Sequence, residues 1–110
     1  MQSKEKPLGQ LEQMVLLAVL RLEEAYGVQI IVELNRRTGR EIPRGSLYIT
    51  LDRLAAKGYL ESRRGQATPL RGGRAKRYFQ LTPLGLRVLG ESRRALLALW
   101  QGLESRLEEA

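Results

Sequence analysis

Residues 42–81 read IPRGSLYITLDRLAAKGYLESRRGQATPLRGGRAKRYFQL, and the order of elements in this stretch decides the fold. Ile42-Pro43 opens a helix, because proline presets φ for a first helical turn and pushes the residue before it into an extended conformation. Gly58 closes that helix. Within it Leu47, Leu51 and Leu54 form one apolar face, while Gly45, Ser46, Ile49, Arg53, Ala56 and Lys57 fall on or near the opposite side at about 100° per residue. Residues 59–64 and 77–81 then read as two strands. The segment between them, residues 65–76, is rich in Gly, Pro and basic side chains, so the spacing predicts a hairpin with a long exposed tip.

Working outward, residues 8–22 place Leu8, Leu11, Val15, Val19 and Leu22 at spacings of three and four, and Met14, Leu17 and Ala18 widen the stripe to that of a helix buried on two sides. Residues 23–27 read as a short polar turn. Ile30, Ile31 and Leu34 mark a second helix that ends at Gly39, with Arg36 and Arg37 in its last turn, where cations complement the helix dipole. On the C-terminal side, Thr82-Pro83 supplies an N-cap and a first-turn proline for a long helix. Its seam, Leu84, Val88, Ser92, Leu96, Leu99, Leu103 and Leu107, is close to a heptad rhythm.

The 110-residue chain is one domain's worth of sequence, and 43 % hydrophobic residues suffice for a core. Nineteen Lys and Arg against twelve Asp and Glu give a net charge of +7. That excess is localised: residues 1–35 carry three bases and five acids, residues 36–78 twelve and three, and residues 79–110 four and four. The middle third is therefore a +9 footprint for an acidic partner, flanked by neutral or slightly acidic segments. With no Cys and no His, thiolate nucleophiles, imidazole bases and the usual zinc ligands are absent from the chain. No Walker-type phosphate loop or glycosidase-like carboxylate setting stands in for them. The expectation is a non-enzyme with no catalytic residue, no cofactor and no metal site. The longest apolar run, residues 14–20, is seven residues long where a membrane span needs about 20. Glu5 and Glu12, with no small-residue cleavage site after the run, argue against a signal peptide, so a cytoplasmic location is expected.

Three helices, a two-stranded hairpin with a basic tip and a long amphipathic helix follow the order of a winged helix-turn-helix domain with a C-terminal dimerisation helix. The expected fold class is mainly α with a two-stranded β wing, residues 1–81 forming the DNA-binding domain and residues 82–110 the dimerisation helix, in one compact unit. The residues also resemble the PadR family of bacterial transcriptional regulators. The resemblance rests on Leu8-Gly9, Ala25-Tyr26-Gly27, Gly45-Ser46-Leu47-Tyr48 with Leu51, Arg53, Leu54 and Gly58, then Gly72-Gly73-Arg74-Ala75-Lys76-Arg77-Tyr78-Phe79, and Leu81-Thr82 with Gly85. It runs from about Leu8 to about Leu103 and points to a compact subgroup with a single C-terminal helix.

The resemblance implies a homodimeric repressor that binds double-stranded DNA at an inverted-repeat operator and is released by a small apolar effector or another signal. It carries DNA contacts onto Ser46, Tyr48, Thr50 and Arg53 of the third helix and Arg71, Arg74, Lys76 and Arg77 of the wing. The outward positions Arg44, Ile49 and Lys57 complete the expected DNA-binding set. Arg53 stands out for base readout, since a guanidinium bonds a guanine edge bidentately. Tyr48, about 100° from Leu47, can pack its ring and offer its hydroxyl to phosphate. Arg36, Arg37 and Arg40 fit DNA contact and helix capping equally well. For the dimer interface the apolar stripes nominate Leu11, Val15, Leu84, Val88, Leu96, Leu99, Trp100 and Leu103. Leu96 stands where family members that hold flat ligands at their interface carry an aromatic, which argues against a pocket inherited unchanged. A different class of function uses the same basic third without sequence preference, as an architectural or RNA-binding module; a third is an interaction protein whose wing meets an acidic partner.

Overall fold

The computed structural model describes residues 6–65 and 76–108. In chain order these form α1 (Gln10–Arg21), β1 (Ala25–Tyr26), α2 (Gly27–Thr38), α3 (Arg44–Ala56), β2 (Leu60–Arg64), β3 (Arg77–Leu81), α4 (Pro83–Trp100) and α5 (Glu104–Glu108). The mainly helical winged-helix order expected from the sequence holds. The tip of the wing, residues 66–75, lies outside the described residues.

Two elements differ from the sequence reading. The wing is a three-stranded antiparallel sheet in the order β1-β3-β2, not a two-stranded hairpin. Ala25 pairs with Phe79 and Tyr26 with Tyr78, so the segment read as a turn completes the sheet and delivers the chain directly into α2. A two-residue strand has no periodicity to announce it. The C-terminal helix is also not continuous: α4 stops at Trp100, Gln101 turns to φ −52 and ψ 122, and Gly102 adopts φ +85 before α5 begins. Glycine takes that left-handed conformation without steric cost, and the chain uses it to bend.

The core is a single cluster. Leu16, Ile30, Leu47, Leu51, Leu54 and Val15 are fully enclosed, joined by Tyr59, Leu60 and Phe79 from the sheet and Val88 and Leu89 from the first half of α4. Helices α1, α2 and α3 pack around this centre, and β2–β3 closes one side in the register Leu60↔Leu81 to Arg64↔Arg77. Past Gly90, α4 leaves the core, and its residues from 93 onward are exposed. The radius of gyration of 16.2 Å reflects this arm, against about 13 Å for a compact chain of similar length.

The junction that aims α4 is tightly specified. Thr82 Oγ1 accepts from Gly85 N at 3.0 Å, capping the helix, while donating to Gly58 O at 2.6 Å. Thr82 N donates to Tyr59 O at 3.1 Å. The start of α4 is thereby bonded to the chain leaving α3, and Gly85 sits so close to the Tyr59 carbonyl that a side chain there would overlap it.

Candidate nucleic-acid interface

The buried set Leu47, Thr50, Leu51 and Leu54 defines the inward direction of α3. At about 100° per residue, Gly45, Ile49, Asp52 and Ala56 lie within about 30° of the opposite direction, with Tyr48 and Arg53 about 70° to either side. Ile49 is 61 % exposed and Tyr48 45 %. Arg44 and Arg53 are also exposed, and Ser46 is half-buried. Thr50 is different: it is 5 % exposed, and its hydroxyl donates to Ser46 O at 2.7 Å. The expected DNA contact at Thr50 is thus corrected to a core position, because the residue faces inward with its hydroxyl satisfied by the preceding turn.

Tyr48 lies against the start of α2. A Cβ at Gly27 would overlap the Tyr48 hydroxyl and crowd its ring, so the glycine is what allows α3 and the N-terminus of α2 to approach. The wing root stands nearby. Arg77 Nη1 donates to Asp52 Oδ1 at 2.9 Å, linking β3 to the exposed face of α3, and its guanidinium lies 4.8 Å from the Phe79 ring centroid. Lys76 Nζ sits 4.1 Å above the Tyr26 ring. Tyr26 meets Tyr78 edge-to-face at 5.8 Å, and Arg63 covers Tyr78 at 4.7 Å while bonding Glu24 at 2.8 Å. These stacked cations and rings pack the three strands against one another at the wing root. Arg71 and Arg74, expected at its tip, lie outside the described residues.

Several bases are occupied by acids of the first two helices. Lys57 Nζ bonds Glu12 Oε2 at 2.9 Å, while Glu12 Oε1 accepts from Gly9 N at 2.9 Å and so caps α1. Burial raises the Glu12 pKa, but the Gly9 N–H and the Lys57 ammonium, helped by the field of Arg53, outweigh it and hold the carboxyl below its ordinary range. Lys57, expected on DNA, is held by α1 here. Arg36 and Arg37 both bond Glu33, at 2.8 and 3.0 Å, and these bonds lower the Glu33 pKa. That is the local-pairing alternative for these two arginines; Arg40 is exposed beyond the helix end.

Comparison with known proteins bears on this geometry. Residues 16–91 match the transcriptional regulator PadR-like family. The chain belongs to the PadR family. It is 42 % identical over 73 residues to the transcriptional regulator Rv3488 of Mycobacterium tuberculosis, a match covering 66 % of this chain and 64 % of that protein's length. A PadR family regulator from Eggerthella lenta superposes with a TM-score of 0.69 at 30 % identity, over 92 % of this chain and 88 % of the other. A PadR-like regulator from Bacillus cereus gives 0.66 at 25 % identity, over 90 % and 88 %. Among the described residues of this PadR chain, no helix is long and apolar enough to cross a membrane.

A second surface of the PadR chain is apolar. Leu17 and Leu20 of α1 and Leu86, Leu89, Leu96, Leu97 and Trp100 of α4 line an open groove of about 550 Å³. The residues nominated for an interface divide here. Leu96, Leu99, Trp100 and Leu103 are exposed, with Leu99 at 74 %. Leu11 and Leu84 are half-buried against the protomer's own core, while Val15 and Val88 are buried in it, which corrects the assignment of these two to an interface. Heptad spacing alone misjudged them, because the first half of α4 spends its apolar stripe on its own domain. Leu17, Leu20, Leu86 and Leu97, not among the nominated residues, also line this groove, and the width of the α1 stripe was a signal for the first two.

Proposed function

We propose that this PadR chain is a homodimeric transcriptional repressor that binds an inverted-repeat operator. In this reading α3 enters the major groove and presents Ile49, Tyr48, Arg44, Ser46 and Arg53. The wing follows the backbone with Lys76, Arg77, Arg71 and Arg74. The observation that carries it is the Arg77–Asp52 contact at 2.9 Å, which marks the wing root as lying on the same side of the molecule as the solvent-facing surface of α3. Arg53 stands on the flank of that surface, so it reads a base at its edge or a phosphate beside it.

Residues 82–110 serve as the dimerisation element. What supports this is the exposed apolar row Leu96, Leu97, Leu99 and Trp100 on an arm that extends past the core, each between 43 % and 74 % exposed. Isolated domains rarely leave so much contiguous apolar surface in water. A small apolar effector would act through the same groove by changing the spacing of the two recognition helices. Regulators of this kind act on chromosomal DNA, which favours the cytoplasm.

Selection of bound fragments from a random duplex library tests the reading, with sedimentation equilibrium alongside. A two-fold symmetric motif and a dimer at micromolar concentration are expected. Equal affinity for all duplexes, or tighter binding to RNA, would favour the non-specific module instead.

A further inference from the structure

The face of α3 that turns from the core carries an acid, on a surface where DNA affinity is gained from cations and lost to carboxylates. Asp52 is the single acid of α3, and it lies nearer the centre of that face than Arg53 does. Its Oδ1 accepts from Arg77 Nη1, and both partners are open to solvent, 67 % for Asp52 and 46 % for Arg77. Solvent screening leaves such a pair little weight in folding, so it can exchange. Its position, between the recognition helix and the first described cations of the wing, gives the exchange a consequence for binding.

We propose that Asp52 is a specificity-determining residue: it holds Arg77 in the free protein and releases it to a phosphate only where a cytosine amino group replaces the guanidinium at its carboxylate. The proposal rests on the reading of α3 as the helix in the major groove. An ionised carboxylate only accepts hydrogen bonds. In the major groove cytosine offers its N4 amino donor, guanine offers two acceptors, thymine a carbonyl and a methyl, and adenine an amino group beside the N7 acceptor. Opposite guanine or thymine, Asp52 either keeps Arg77, which forfeits a phosphate contact, or stands desolvated without a donor; opposite adenine a carboxylate that takes the N6 amino group is set against the N7 lone pair beside it. An acid at this position lowers affinity for DNA in general and raises it for one base in particular.

The test is selection from a random duplex library with the full-length wild type, Asp52→Asn and Asp52→Ala, followed by affinity against salt on selected and random duplexes. The wild type should select cytosine at one position of each half-site. Asp52→Asn should change that preference to adenine, because a carboxamide pairs bidentately with N6 and N7. Asp52→Ala should lose about tenfold of discrimination there. It should also bind random DNA roughly three- to tenfold more tightly at 0.1 M salt, with a log–log slope steeper by about one per protomer. Folded variants that select the wild-type motif, or an unchanged salt slope in Asp52→Ala, overturn the proposal. A wild type that selects no motif overturns the reading beneath it, which keeps the two failures apart.

Discussion

Replacing Gly85 by alanine should damage the fold more than its single methyl group suggests. The added Cβ would overlap the Tyr59 carbonyl oxygen and lie 3.0 Å from its carbon and 3.2 Å from the Tyr59 Cα. All three are backbone atoms, and that backbone is anchored: Tyr59 N donates to Leu54 O at 3.0 Å, and Tyr59 O and Gly58 O accept from Thr82. Relief requires α4 to back away from the end of α3, which strains or breaks those two bonds and loosens Val88 and Leu89 in the core. Overpacking of this kind costs about 1–3 kcal/mol and each lost hydrogen bond about 1 kcal/mol. Alanine returns up to about 1 kcal/mol through helix propensity. The net loss is about 2–3 kcal/mol, or roughly 8–15 °C in Tm for a domain of this size. Gly90→Ala in the same helix is the control, because its Cβ would meet only the flexible tip of Arg94, 3.4 Å away, and it should gain about 0.5–1 kcal/mol. Thermal melts by circular dichroism at equal protein concentration read both. A Gly85→Ala protein that melts within about 2 °C of wild type, or no worse than Gly90→Ala, refutes the reasoning.

Three further outcomes follow from particular contacts. Glu12→Gln should destabilise at neutral pH, and the gap to wild type should close in acid: a carboxyl whose folded pKa is depressed contributes stability above its unfolded pKa and loses it as pH falls through the folded one, so paired melts from pH 7 to pH 3 check the sign. Leu97→Glu, placing a charge in the groove beside Trp100, should shift the dimer toward monomer in sedimentation while leaving the far-ultraviolet spectrum intact. Lys76→Ala should flatten the salt dependence of DNA binding by about one unit per protomer, whereas Lys57→Ala should leave the slope near wild type and lower Tm instead, because Lys57 is committed to Glu12.

The helices, the position of the hairpin and most of the core were legible in the sequence because they rest on local signals: apolar periodicity, proline at a helix start, glycine at an end. What was not legible depends on long-range contact. Ala25-Tyr26 becomes a strand because β3 is available to pair with it, Ala25 meeting Phe79 54 residues later. Thr50 is polar on an otherwise exposed-looking stretch, yet its hydroxyl closes on Ser46 O and the residue turns inward. Val88 and Leu96 share one heptad seam, but the junction at Thr82 lays the first on its own core and sends the second past it. The place of Asp52 on the outer side of the α3 wheel is legible in the sequence, but its contact with Arg77, 25 residues away, is not.

The charge count changes meaning in the same way. Twelve bases in residues 36–78 suggest a footprint of that size, but five of them, Arg36, Arg37, Lys57, Arg63 and Arg77, are in ion pairs. Four of the five pair with Glu12, Glu24 or Glu33, all from the acidic first third. The slight negative charge of that third is therefore spent on the flanks of the basic region, and the free cations are concentrated on α3 and the wing. Among the described residues of 36–78, Arg40, Arg44, Arg53, Arg64 and Lys76 have no ion-pair partner; Arg71 and Arg74 lie outside the described residues, so at most seven cations of this segment are left for phosphate. At about 0.9 log units per contact, binding to random duplex should have a salt slope of no more than about six per protomer. A steeper slope would mean that the pairs with Glu12, Glu24 and Glu33 open on DNA, and that the acidic third is a competitor for the bases, not their anchor.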